Sequence, residues 1–275
     1  MSISTDKLRF DITKYEKVGS VVQGACSDVL LYRLHAGRGE GPPKVAIKKP
    51  RDDHGIQERR QDAEYLRNEA QILGELAADS QTRDLVVTLY YAGPHPLSGE
   101  TYLALEAFCA DDGWQRLDKL MFQLPLGEAL DVLVVIVRLL SGMRKKGILN
   151  PDLKLDSFFV RRGPPLKVKA TDFNVASLSD ANSPEWQKVR RGLAEVMSAL
   201  LSQGRSHLFL AFTHDQQPTP RQIEAEEDKV IPGVARGLIA AALEEGDFER
   251  LQRRLQTVRQ EYQAQLDGLV NQAID

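Results

Sequence analysis

Lys48 closes the β-branched run Val45-Ala46-Ile47-Lys48. An ammonium group at the end of an apolar strand is costly unless an anion meets it. Any fold this chain adopts must therefore bring a carboxylate to Lys48. The candidate is Glu69, in Asn68-Glu69-Ala70-Gln71-Ile72-Leu73. It falls within residues 57–77, where Ala63, Leu66, Ala70, Leu73 and Leu76 recur at helical spacing with charges opposite. One ion pair would then tie a strand to a helix. Taken singly, either residue reads more readily as a solvated surface charge; the order of the charged residues that follow decides for pairing.

Residues 11–50 read as strands, with Val29-Leu30-Leu31-Tyr32 and Val45-Ala46-Ile47 separated by a Gly/Pro-rich turn over 37–43. Two further strands are expected over 85–92 and 101–107. After Phe108 the character changes. Residues 126–146 form an apolar helical pattern ending in basic residues, which suit a helix C-terminus. Short strands over 158–160 and 166–168 flank Gly163-Pro164-Pro165, and helices are expected over 186–203, 232–244 and 247–272. A β-rich first part and a helical second part predict an α+β chain with a cleft between them. The expected division is an N-lobe over 1–108 and a helical C-lobe over 109–275, together forming one domain.

Two more segments carry chemistry. In Asn150-Pro151-Asp152-Leu153-Lys154-Leu155-Asp156-Ser157, the alternation places Asp152 and Lys154 so that both can face one reacting centre from an irregular loop. The bland alternative is a surface turn with a local ion pair. Asp172-Phe173-Asn174 follows a short strand; as a lone tripeptide it carries no weight, and it gains meaning from its place after the other charged residues.

In this order, Lys48, Glu69, Asp152 and Asp172 resemble the skeleton of a protein kinase. The resemblance runs over roughly residues 15–205. It implies a two-lobed protein-kinase-like fold, with a β-rich N-lobe and an α-helical C-lobe, binding ATP and Mg2+. Asp152 would then receive or orient the acceptor hydroxyl, and Lys154 would stabilise the transferring group. Asp172 and Ser157 would hold the metal. Gly24, Ser27, Val29, Ala46, Lys48 and Glu69 would line the nucleotide site, with Leu105 resembling the gatekeeper and Glu106-Ala107-Phe108 the hinge.

The chain departs from the family pattern in five places. Gly24-Ala25-Cys26-Ser27-Asp28-Val29 aligns with the second half of a glycine-rich loop in which only the middle glycine survives, with Val22 and Ser27 in the other two positions; Gly19 is an alternative anchor for the loop. Asn150-Pro151 replaces the His-Arg pair, which removes the arginine that receives a phosphorylated activation loop. Ser157 stands in for the second metal-binding asparagine. Asn174 replaces a glycine, at a position where Asn tolerates unusual backbone angles. The segment from Asp172 to Ser183-Pro184-Glu185 is very short, so the platform that docks a peptide is reduced. The leading expectation is ATP- and Mg2+-dependent phosphoryl transfer to Ser/Thr hydroxyls of a protein. The alternatives are a pseudokinase acting as scaffold or regulator, and an atypical transferase on the same fold.

Composition narrows the partners. The 275 residues are 42% hydrophobic and 27% charged, with a net charge of -3. This balance gives no reason to expect nucleic acid or an anionic membrane. Two cysteines, Cys26 and Cys109, point to a reducing, cytoplasmic compartment. The longest apolar run, over 132–137, is too short to span a bilayer, and residues 1–10 lack the apolar core of a signal peptide. The expected partner is a protein substrate or regulator. The stripe Leu251, Leu255, Val258, Tyr262, Leu266 and Leu269 reads either as a partner-binding seam or as a face packed on its own lobe, with packing preferred.

Overall fold

A computed structural model describes residues 10–19, 21–37, 40–96, 98–180, 183–201, 233–244 and 247–274. The chain forms two compact units. Residues 1–112 and 172–176 belong to the first, and residues 113–171 and 177–275 to the second.

The first unit is an antiparallel sheet with one long helix. Its strands are β1 (Tyr15–Lys17), β2 (Val22–Gln23), β3 (Asp28–Leu34), β4 (Lys44–Lys49), β5 (Leu89–Pro94) and β6 (Thr101–Glu106). They are ordered β1-β3-β4-β6-β5, with β2 paired to β3. Register assigns the faces, because paired residues share a side and neighbours alternate. Val29 pairs with Lys48 and Leu31 with Ala46, while Leu105 and Leu103 pair with Ala46 and Lys48 from the other edge. Lys48 therefore shares a face with Val29, Ala46 and Leu105. Leu30, Ile47 and Ala104 lie on the opposite face, where Ile12, Tyr15, Val45 and Tyr102 complete an apolar cluster.

Helix α1 (Ile56–Ala77) packs on β4, β5 and β6. The Glu58 carboxylate accepts the Gly55 N–H at 2.8 Å and closes its first turn. Leu66, Ile72, Leu73 and Leu76 are buried along one side, each burial contributing about 1.5–3 kcal/mol. The strand expected from residue 85 begins at Leu89. Arg83–Leu85 is a 3-10 turn instead, held where the Thr82 hydroxyl donates to the Leu76 carbonyl at 2.6 Å. Leu85, Val86 and Val87 are still buried. Their apolar run reflects burial of irregular backbone, which a strand pattern imitates.

The second unit is mainly helical. It contains β7 (Trp114–Arg116), α2 (Leu117–Leu120), α3 (Leu126–Lys145), β8 (Ile148–Leu149), β9 (Phe158–Arg161), β10 (Lys167–Ala170), β11 (Ser177–Leu178), α4 (Trp186–Leu201), α5 (Gly233–Glu244) and α6 (Phe248–Ile274). α3 buries residues on most of its sides, among them Leu130, Leu133, Ile136, Val137 and Leu140. That makes it the central helix, with α4 and α6 packed on it and α5 against both. α6 buries Leu251 and Leu255, and Arg259 donates to Asp131 of α3 at 3.0 Å. The first part of the apolar stripe therefore packs on its own unit. The side chains of Leu266 and Leu269 lie outside the described residues. An antiparallel sheet followed by helices is consistent with the expected α+β class. No helix among the described residues is long and apolar enough to cross a membrane.

Candidate functional site

Lys48 Nζ donates to Glu69 Oε2 at 2.8 Å and to Asp172 Oδ1 at 2.9 Å. The two carboxylates differ in access. The Glu69 side chain is 1% exposed and the Asp172 side chain 45%. Burial opposes the Lys48 charge, but the Glu69 and Asp172 carboxylates overcome it and hold the ammonium pKa above its ordinary value. Glu69 is the buried partner and Asp172 the accessible one.

Glu69 is satisfied at both oxygens, because Oε1 accepts the backbone N–H of Phe173 at 3.3 Å. Phe173 is itself buried. Asp172 has φ of 63°, and among the described residues it is the one non-glycine with positive φ. That conformation costs of order 1–3 kcal/mol and persists only where its surroundings enforce it. The enforcement comes from α1. Besides the Glu69 contact, Asn68 Nδ2 donates to the carbonyls of Asn174 at 3.1 Å and Ala176 at 2.7 Å. Residues 172–176 are thus fastened to the helix that carries Glu69.

The turn between β2 and β3 contains Gly24 and Ser27. The Gly24 N–H donates to the Ser27 carbonyl at 2.8 Å, and Ser27 is buried. A Cβ on Gly24 would sit 3.2 Å from that carbonyl, so the tight turn itself favours glycine here. The Cys26 thiol is half-buried. Burial raises its pKa, with Asp62 and Asp172 adding to the effect and Lys48 and Arg51 opposing it. The thiol therefore lies within the field of the Lys48 cluster. Val29 and Ala46 are half-buried, whereas Leu105 is buried. The Glu106 carboxylate accepts from the Thr88 N–H at 3.2 Å and the Thr88 hydroxyl at 2.9 Å, which fixes the end of β6. Phe108 follows, half-buried.

In the second unit, Lys154 Nζ meets the Asp152 carboxylate at 2.7 Å, and both side chains are substantially exposed. Asn150 is buried, and its Oδ1 accepts the Asp152 N–H at 3.3 Å. Ser157 lies in a 3-10 turn and is buried. Its carbonyl accepts the Thr171 N–H at 2.8 Å. Leu153 pins this loop to α4. A Cβ on Gly192 would come within 2.9 Å of the Leu153 carbonyl, so only glycine permits the approach without a shift.

The structure brings Lys48, Glu69 and Asp172 into one cluster and Asp152 and Lys154 into another. Sequence reasoning missed Asn68, which reads as an ordinary helix surface residue, and Gly192, whose signal is a lone glycine inside a helix. Among the described residues, no group of three or more His, Cys, Asp or Glu side chains could enclose a metal ion. A cation at Asp172 would share it with other oxygen donors, as Mg2+ does with phosphate. Asp172 offers a half-exposed carboxylate for this, with Oδ1 engaged by the Lys48 ammonium.

No protein-family model matches the chain, and no curated protein matches it.

Proposed function

We propose that the chain is a protein-kinase-like phosphotransferase that moves the terminal phosphoryl group of ATP to a Ser or Thr hydroxyl of a protein. One observation carries this reading. A buried lysine is charged and held by one buried carboxylate and one accessible carboxylate, and the accessible one sits in an enforced left-handed conformation. Buried charge is expensive, and backbone strain gathers at functional sites. A purely structural ion pair needs neither the second carboxylate nor the strain.

Each residue has a task on this reading. Lys48 binds the phosphates, with Glu69 keeping it in place. Asp172 would supply a carboxylate oxygen to Mg2+, which would neutralise phosphate charge. Asp152 orients the acceptor hydroxyl and takes its proton. Lys154 offsets charge on the group in transfer. Val29, Ala46, Leu105, Glu106 and Phe108 bind the base, while Gly24 and Ser27 border the phosphates.

A second reading is a pseudokinase, and the Lys48–Asp172 pair favours it because it occupies the phosphate-binding cation. Intact-mass spectrometry after incubation with ATP, Mg2+ and a mixed protein substrate separates the readings. A single phosphate added to an acceptor, and abolished by Asp152→Asn, supports transfer. An unchanged mass supports the pseudokinase, and addition of a whole nucleotide supports an atypical transferase.

A further inference from the structure

The connector between β4 and α1, residues 50–55, brackets the β2–β3 turn. Arg51 Nη1 donates to the Gly24 carbonyl at 3.0 Å. The same guanidinium is fixed from behind by Asp53, through Nε at 2.8 Å and Nη2 at 2.6 Å. The Arg51 backbone is anchored too, its N–H donating to Asp62 Oδ2 at 3.3 Å. Asp62 is buried and also meets His54 Nδ1 at 2.8 Å. On the other side of the turn, the Asp52 N–H donates to Asp28 Oδ2 at 3.1 Å, and Asp28 is buried. With the internal bond from the Gly24 N–H to the Ser27 carbonyl at 2.8 Å, the turn is held from inside and from both flanks.

We propose that Arg51 is a positioning residue for the phosphate-binding turn, holding residues 24–27 in one conformation where two of the expected glycines are absent. This rests on the nucleotide reading above. A flexible glycine loop loses conformational freedom when it closes over phosphates, whereas a turn fixed beforehand does not. The planar guanidinium suits the task because one face of its fork takes the Asp53 carboxylate while the remaining nitrogen reaches Gly24. Lysine cannot make both contacts from one point charge.

Cys26 lies within the bracketed turn and reports on it without any nucleotide. Its alkylation by iodoacetamide is followed by mass in a Cys109→Ser background, at fixed pH, with thermal melting recorded for each variant. The two explanations of an Arg51 effect have opposite signs. Arg51 lowers the thiol pKa, so its removal would slow alkylation if only charge mattered. Release of the turn would speed it. The expected result is a rise of roughly three- to tenfold for Arg51→Ala. Rises in the same direction are expected for Arg51→Lys, which keeps the charge, and for Asp53→Ala, which only unfastens the guanidinium. Affinity for MgATP should fall several-fold in all three. Unchanged or slower alkylation in folded Arg51→Ala and Asp53→Ala proteins would overturn the proposal. ATP added to the wild type tests the underlying reading separately. If it fails to protect Cys26, the phosphate site is wrong, while the ligand-free rates still decide the role of Arg51.

Discussion

Asp172 Oδ1 accepts a hydrogen bond from Lys48 Nζ at 2.9 Å, yet its side chain remains 45% exposed. On the proposed reading the pair sets two binding functions in competition, because the cation that would meet phosphate is engaged by the carboxylate that would meet Mg2+. Asp172→Asn should therefore bind Mg2+-free nucleotide about two- to fivefold more tightly than wild type, the scale of a partly exposed ion pair. The same variant should lose the gain in affinity that Mg2+ gives the wild type. Calorimetric titration with and without Mg2+ measures both, and a parallel loss in the two conditions would contradict the competition.

The Lys48–Glu69 pair is more deeply buried, and removing one partner leaves the other charge without compensation. Lys48→Met should cost about 3–5 kcal/mol in urea unfolding, and Lys48→Met/Glu69→Leu should recover part of that loss. The pH dependence has a definite sign. Because the folded-state pKa of Lys48 is raised, its stabilisation is fully present below the ordinary lysine pKa. It is lost as pH climbs toward the folded value. The stability gap between wild type and Lys48→Met should be flat from neutral pH to about pH 10 and shrink above it.

Asn68 spends its amide on the carbonyls of Asn174 and Ala176. Asn68→Leu leaves both without that donor and should cost about 1–3 kcal/mol. The local signature is more telling. Amide hydrogen exchange at Phe173 should accelerate beyond what the global loss explains, because the segment that presents this N–H to Glu69 is no longer fastened. Exchange that tracks global stability alone would remove Asn68 from the account.

Gly192→Ala tests the support of the Asp152 loop. The new Cβ would meet the Leu153 carbonyl at 2.9 Å and the Leu153 Cβ at 3.0 Å. Overpacking of this kind costs roughly 1–3 kcal/mol. Phosphoryl transfer should fall at least about tenfold while MgATP affinity holds, since displacement of a reacting group is felt in rate before binding. Equal losses in affinity and rate would indicate a general loosening of the protein.

The Lys48–Glu69 pair was legible because a charge within an apolar element demands a partner. Asp172 stood out only through the resemblance carried by the ordered motifs, since Asp-Phe-Asn alone carries no signal. Asn68 was not legible. Its acceptors are backbone carbonyls far away in sequence, and a carbonyl is present at every residue. Residues 51–54 carry no pattern that singles them out, and Asp62 sits among the helix charges, although Asp62 is buried and Arg51 reaches the Gly24 carbonyl. The strands β7, β8 and β11 contain two or three residues each, too few for alternation to show. The apolar run after Leu85 misled for the opposite reason, since its burial is real and its backbone is not a strand.

The most direct measurement is transfer of label from γ-labelled ATP to a mixed protein substrate in the presence of Mg2+, with Lys48→Met, Asp172→Asn and Asp152→Asn run beside the wild type. The account predicts transfer by the wild type and a loss of at least about a hundredfold in each variant. Absence of transfer by folded wild-type protein, or transfer that survives Asp152→Asn, would contradict it.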